Sequence, residues 1–181
     1  MLRTVVVDFI NSALKDSSIL ALKYDNIVFE ERVKLACYHC PKYRHEGRGG
    51  GIKKWTCPPL PPIDFKMVLA EYADMLLVFK SFQNESHIDI RRESSVILHK
   101  TLLETEKFLW DNGCFLHATF IGGSCKLCKD GCNTKGCINP SLSRIPLEAL
   151  GINVIKTSSN LGVDLSFRTK QSITRVGLIC W

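Results

Sequence analysis

The run Gly122-Gly123-Ser124-Cys125-Lys126-Leu127-Cys128-Lys129-Asp130-Gly131-Cys132-Asn133-Thr134-Lys135-Gly136-Cys137 sets four thiols at the spacing C-x2-C-x3-C-x4-C. It contains almost no large apolar side chain, so its own burial cannot order it. Its four glycines let the backbone wrap tightly around a centre, and thiolates that converge in this way either bridge as disulfides or hold a metal. Structural zinc sites pair two short knuckles across an intervening fold, whereas this run delivers all its thiols from one continuous loop. The spacing therefore predicts a metal centre held by Cys125, Cys128, Cys132 and Cys137, with an iron-sulfur cluster as the leading cofactor and zinc as the alternative.

A second group reads Cys37-Tyr38-His39-Cys40-Pro41-Lys42-Tyr43, then a loop with Gly47, Gly49, Gly50 and Gly51, and finally Trp55-Thr56-Cys57-Pro58-Pro59. The C-x2-C pair puts two thiolates within reach of one metal, and prolines directly after Cys40 and Cys57 stiffen the ligand loops. Cys37, Cys40 and Cys57 supply three ligands. The fourth is open among Cys114, Cys180, His39, His45 and a position left to solvent or substrate. An open position would make this group the reactive centre and the loop at 125–137 a store or relay of electrons. His39 reads more simply as a loop residue lending a hydrogen bond, and Cys114 as a small core residue.

Composition turns the cysteines away from disulfides. There are nine, an odd number, and Met1-Leu2-Arg3-Thr4-Val5-Val6-Val7-Asp8 does not read as a secretion signal. The expected location is the cytoplasm, where clustered cysteines serve as metal ligands or redox groups. No stretch approaches the ~18 to 20 apolar residues that cross a bilayer, so membrane insertion is not expected. With 45% hydrophobic residues in 181, the chain can build a core as one domain over 1–181 without cysteine staples. The net charge of +6 comes partly from Lys42, Arg44, Arg48, Lys53, Lys54, Lys126, Lys129 and Lys135, which flank the cysteine groups and favour thiolates. Loading two four-thiolate centres would bring the charge to about +2, which argues against a nucleic-acid partner.

The elements that must position these residues follow from periodicity. Residues 4–24 repeat at helical spacing and predict one or two short helices; 27–29 and 33–36 read as extended, placing Cys37 at a strand end. Pro58-Pro59-Leu60-Pro61-Pro62 forbids helix and makes a stiff spacer. A helix over 63–72, a buried central strand at Met75–Phe79 and a long helix over 91–112 stopped by Gly113 follow. Next come a strand over 114–121, a short helix at 146–150 stopped by Gly151, a strand at 154–156 and a last strand at 176–180. This alternation predicts an α/β domain, with a mixed or mostly parallel sheet flanked by helices. Both cysteine-rich metal-binding loops would then lie at strand carboxyl ends on one edge. The Gly49-Gly50-Gly51 triplet lacks the context of a phosphate-binding loop.

Cys37-x2-Cys40-Pro41-Lys42-Tyr43, Trp55-Thr56-Cys57-Pro58-Pro59, Gly123-Ser124-Cys125-x2-Cys128-x3-Cys132-x4-Cys137 before Pro140, and Glu148-Ala149-x-Gly151-Ile152-x-Val154 together resemble a known family. It comprises small cysteine-rich predicted metal-binding proteins of unknown function, found largely in anaerobic microbes. The resemblance runs over about 33–165 and implies a metal, with iron-sulfur foremost. The chain departs from it at Leu150, where relatives often carry a cysteine, and in a longer glycine-rich insert at 47–51. Three functions remain open: one or two 4Fe-4S clusters passing electrons to a redox partner protein, a redox or sulfur-chemistry enzyme with an open iron at Cys37, Cys40 and Cys57, and a zinc-stabilised module binding protein or RNA.

Overall fold

The computed structural model describes residues 2–40, 54–83, 90–133, 135–165 and 172–181. The expected Lys42, Arg44, His45, Arg48, Lys53 and the glycines at 47–51 lie outside them. Helix α1 (Leu2–Ala13) leads into strand β1 (Ser18–Ala21), so only the first half of the helical pattern at 4–24 is helix. Strand β2 (Met75–Gln83) begins with five consecutive buried residues and then alternates, as a strand covered on both faces at one end and on one face at the other must. Helix α4 (Ile90–Asp111), strand β3 (Ala118–Ile121) and strand β4 (Ser172–Cys180) complete the frame.

The sheet order is β1-β2-β4-β3 and every pairing is antiparallel, which corrects the expected mixed or mostly parallel sheet. The nine-residue strands β2 and β4 pair along their whole lengths, from Met75 opposite Cys180 to Gln83 opposite Ser172, and make the centre of the sheet. Local sequence carries no sign of strand direction; the long return through α4, β3 and the cysteine loop decides it.

Alternating side chains divide the core between the two faces. Leu76, Val78 and Ile179 pack with Val6, Ile10, Leu98, Leu102 and Leu109 of α1 and α4, and Phe9 stacks on Phe108 at 4.6 Å. Gly177 permits α4 to lie this close, because a Cβ there would stand 2.7 Å from a Leu102 methyl. On the opposite face Leu77, Phe79, Val176 and Leu178 meet Leu22, Leu69, Leu147, Leu150, Ile152 and Val154, from short elements and loops. Those short elements carry the cysteines.

Two of them differ from expectation. Residues 31–39 form helix α2 (Glu31–His39), so Cys37 ends a helix and not a strand. Residues 154–159 form helix α5 (Val154–Ser159), capped by Asn153, whose side chain accepts from the Lys156 amide at 3.1 Å. Glu30 ties the two together, accepting from Arg32 at 2.6 Å, Lys156 at 2.5 Å and Asn153 at 3.0 Å. These partners, Arg32 foremost, hold its carboxyl down at about 2. Helix α3 (Phe65–Ala70) is shorter than the expected 63–72 and is capped by Asp64, which accepts from the Lys66 amide at 3.0 Å. Cys180 lies fully buried at the end of β4, and the expected strand over 114–121 begins only at Ala118. Among the described residues no helix is long and apolar enough to cross a membrane.

Candidate metal centre

Cys125, Cys128, Cys132 and Cys137 line one small cavity. The loop that carries them leaves β3 through Gly122 and Gly123. Gly122 lies so close to β4 that an added Cβ would stand 2.9 Å from the Val176 carbonyl oxygen, and Gly123 turns the chain with φ +76°. Hydrogen bonds from other elements then hold the loop: the Trp55 indole donates to the Asn133 carbonyl at 2.8 Å and the Arg92 guanidinium to the Leu127 carbonyl at 3.2 Å. The Asn139 amide points at the Cys128 sulfur from 3.6 Å. Burial pushes the Cys125 thiol up, the neighbouring Cys132 and Cys128 sulfurs add to this, and the Leu127 amide and Lys54 pull the other way.

Cys37, Cys40 and Cys57 line a second cavity of about 300 Å³ together with Ser124, Glu148 and Gly123. Cys37 comes from the last turn of α2 and Cys40 from its C-terminal cap. Helix α2 packs against a 3₁₀ turn, Leu147–Leu150, whose first residues supply Glu148. Leu147, Ala149 and Leu150 are buried in the core and so fix the direction of the carboxylate, which accepts from the Gly123 amide at 3.0 and 3.2 Å. Burial raises the pKa of this carboxyl, and the Gly123 amide partly opposes the shift. The Cys37 thiol is pushed up to about 11, first by burial, then by the Glu148 charge and Cys40. At about 11 the Cys37 thiol keeps its proton until a cation displaces it.

The two cavities share a wall. Thr56 lines one and Cys57 the other; Ser124 lines one and Cys125 the other. Consecutive residues thus line different cavities. Each side of the wall carries a buried hydroxyl without a hydrogen-bond partner among the described residues, Ser124 Oγ and Thr56 Oγ1. Such orphaned donors fit a bound acceptor that the described residues do not provide.

Of the other expected donors, Cys114, Cys180 and His39 line neither cavity, and Lys126 turns away to donate to the Arg91 carbonyl at 2.6 Å. Among the described residues no three or more His, Cys, Asp or Glu are gathered as a single metal ion requires; the thiols stand around cavities. Glu148, which sequence reasoning did not assign to the site, is the carboxylate among them. Its signal was present in the Glu148-Ala149-x-Gly151 motif, a charge set between residues that the core absorbs.

Behind the four-cysteine loop, His99 of α4 is buried with Nε2 2.9 Å from the Leu142 carbonyl oxygen. A carbonyl only accepts, so Nε2 carries the hydrogen and Nδ1 is left unprotonated and without a partner. Burial lowers this imidazole to about 4. The unfolded chain, at 6.5, binds the proton more readily, so the stability is fully present above that value and drains away as pH falls towards 4. A drop of about 3 kcal/mol is expected across that window. Unfolding midpoints measured from pH 7 to 4 should fall less steeply in His99→Phe; parallel curves would refute the assignment.

No curated protein and no solved structure matches the chain. The family of predicted metal-binding proteins designated DUF2284 matches residues 21–180, a span that contains both cavities, and the chain belongs to that family of predicted metal-binding proteins.

Proposed function

We propose that the loop at 125–137 holds an iron-sulfur cluster through Cys125, Cys128, Cys132 and Cys137 and that the protein passes electrons to a redox partner protein. The observation that carries this reading is the disposition of the four thiols around one cavity. A cluster spreads its ligands over separate irons and so asks for thiols around a space rather than gathered at a point. The Asn139 amide at Cys128 and the Thr56 hydroxyl fit the same group, since donors to the sulfurs tune a cluster's potential. Thiols dominate the lining of this cavity, which supports a reservoir for electrons.

Anaerobic purification after growth with ample iron tests the reading. The protein should be brown, with broad visible absorption from sulfur-to-iron charge transfer that bleaches on reduction. Zinc has a filled d shell and no colour. A colourless protein carrying stoichiometric zinc would replace the electron carrier by a zinc-stabilised binding module.

A further inference from the structure

The second cavity asks for a separate account. It is walled by three thiols and a carboxylate, and no cationic side chain lines it among the described residues. A buried carboxylate is paired, protonated or bound to metal. The Gly123 amide reaches both Glu148 oxygens, at 3.0 and 3.2 Å, which occupies part of the acceptor capacity; a carboxylate offers about four lone-pair sites, so lone pairs remain on it to ligate. Of the other donors considered from sequence, Cys114, Cys180 and His39 line neither cavity and His45 lies outside the described residues. Ser124 places its unpartnered hydroxyl on the same wall.

We propose that Cys37, Cys40, Cys57 and Glu148 hold a second iron-sulfur cluster, with three irons on thiolates and the fourth on the Glu148 carboxylate, and that Ser124 donates a hydrogen bond to it. The proposal rests on the iron-sulfur reading of the neighbouring loop and adds a distinct chemistry. A hard oxygen donor on a soft iron-sulfur centre is the ligand most readily displaced. The fourth iron is therefore the place where a small soft ligand enters, and the cavity leaves room for it. The shared wall at 56–57 and 124–125 puts this iron next to the all-cysteine cluster, which would supply its electrons.

The test uses the full chain loaded anaerobically with ferrous iron and sulfide, with potassium cyanide as the soft ligand. In the reduced parent, cyanide should change the paramagnetic resonance signal of one cluster and leave the other alone. Glu148→Cys should abolish that response while keeping the iron. Glu148→Gln can still accept from the Gly123 amide, yet should hold its fourth iron at least ~10-fold more weakly. Cys57→Ser should remove about half the iron, by the ligand counting that gives each cluster four donors. A parent that takes up no iron defeats the iron-sulfur reading itself. A parent whose iron is lost in Cys132→Ser but untouched in Cys57→Ser leaves that reading standing and defeats the second cluster. If Cys57→Ser loses iron while both Glu148 variants respond to cyanide as the parent does, Glu148 is not the donor and the proposal is overturned.

Discussion

Replacing Cys132 by serine is expected to strip most of the metal from the loop at 125–137 and to loosen the loop itself. Serine is nearly the same size, so the fold loses little packing, but its hydroxyl stays protonated near neutrality and its oxygen is a harder donor than a thiolate. Burial cannot compensate, because Leu127 is the one large apolar side chain in the run and is itself only partly buried. The hydrogen bonds from Trp55, Arg92 and Asn139 hold the edges of the loop, and on the proposed reading the cavity between them depends on the cluster. Metal analysis of the variant should therefore fall well below the parent, and amide exchange across 125–137 should quicken. Cys114→Ser is the matched control: Cys114 lines neither cavity and its loss should leave metal content unchanged. A Cys132→Ser protein with the parent's metal would end the four-ligand assignment.

The grouping of the cysteines was legible in the sequence because ligand spacing is local. Four thiols within thirteen residues have few ways to avoid one another, and the structure places them around one cavity. Helix α4 was equally legible, expected over 91–112 and found over 90–111, since six turns of apolar periodicity outweigh any competing pattern. Two short elements were not. Val33-Lys34-Leu35-Ala36 alternates as a strand would, yet belongs to α2, which is fixed by Glu30 reaching Asn153 and Lys156 more than a hundred residues away. Val154-Ile155 has the β-branched character of a strand, and the signal that it starts a helix is the single capping Asn153.

The parallel sheet expected from alternating elements failed for a similar reason. Once α2 and α5 are helices, few strands remain, and β4 at the chain's end enters the middle of the sheet between β2 and β3. The argument that would have put both cysteine groups at strand carboxyl ends therefore fails, yet the groups are neighbours. Their meeting is arranged by the wall of residues 54–57 and 123–125 and by Glu148, whose carboxylate accepts from Gly123. A single carboxylate in an apolar stretch has no spacing rule to give it a role, so the motif marked Glu148 and only tertiary packing turned it into the cavity.

Replacing Arg144 by methionine is expected to lower the stability of the metal-free protein by about 3 kcal/mol, a large part of the 5–15 kcal/mol typical of a domain. Arg144 grips Glu106 of α4 through two contacts, Nε to Oε1 at 2.6 Å and a terminal nitrogen to Oε2, and both side chains are mostly withdrawn from water, at 19% and 12% exposure. Thr119 of β3 donates to the same carboxylate. The guanidinium also donates to the carbonyls of Ser141 and Ser143 at 2.9 and 2.8 Å, so one side chain pins the segment that follows the four-cysteine loop to both helix and sheet. Methionine keeps much of the volume and removes every donor, which strands the Glu106 charge in a desolvated place. If the stranded charge is the main cost, adding Glu106→Gln should restore a good part of the loss, because the neutral amide tolerates burial and can still accept from Thr119. Chemical denaturation of the parent, the single variant and the double variant measures both steps. The metal should follow, since Asn139, which touches Cys128, sits on the released segment, and retention against a chelator should weaken in the single variant. An Arg144→Met protein that unfolds at the parent's midpoint would mean that Glu106 is not stranded once Arg144 is gone, and that the loop is held by its remaining contacts.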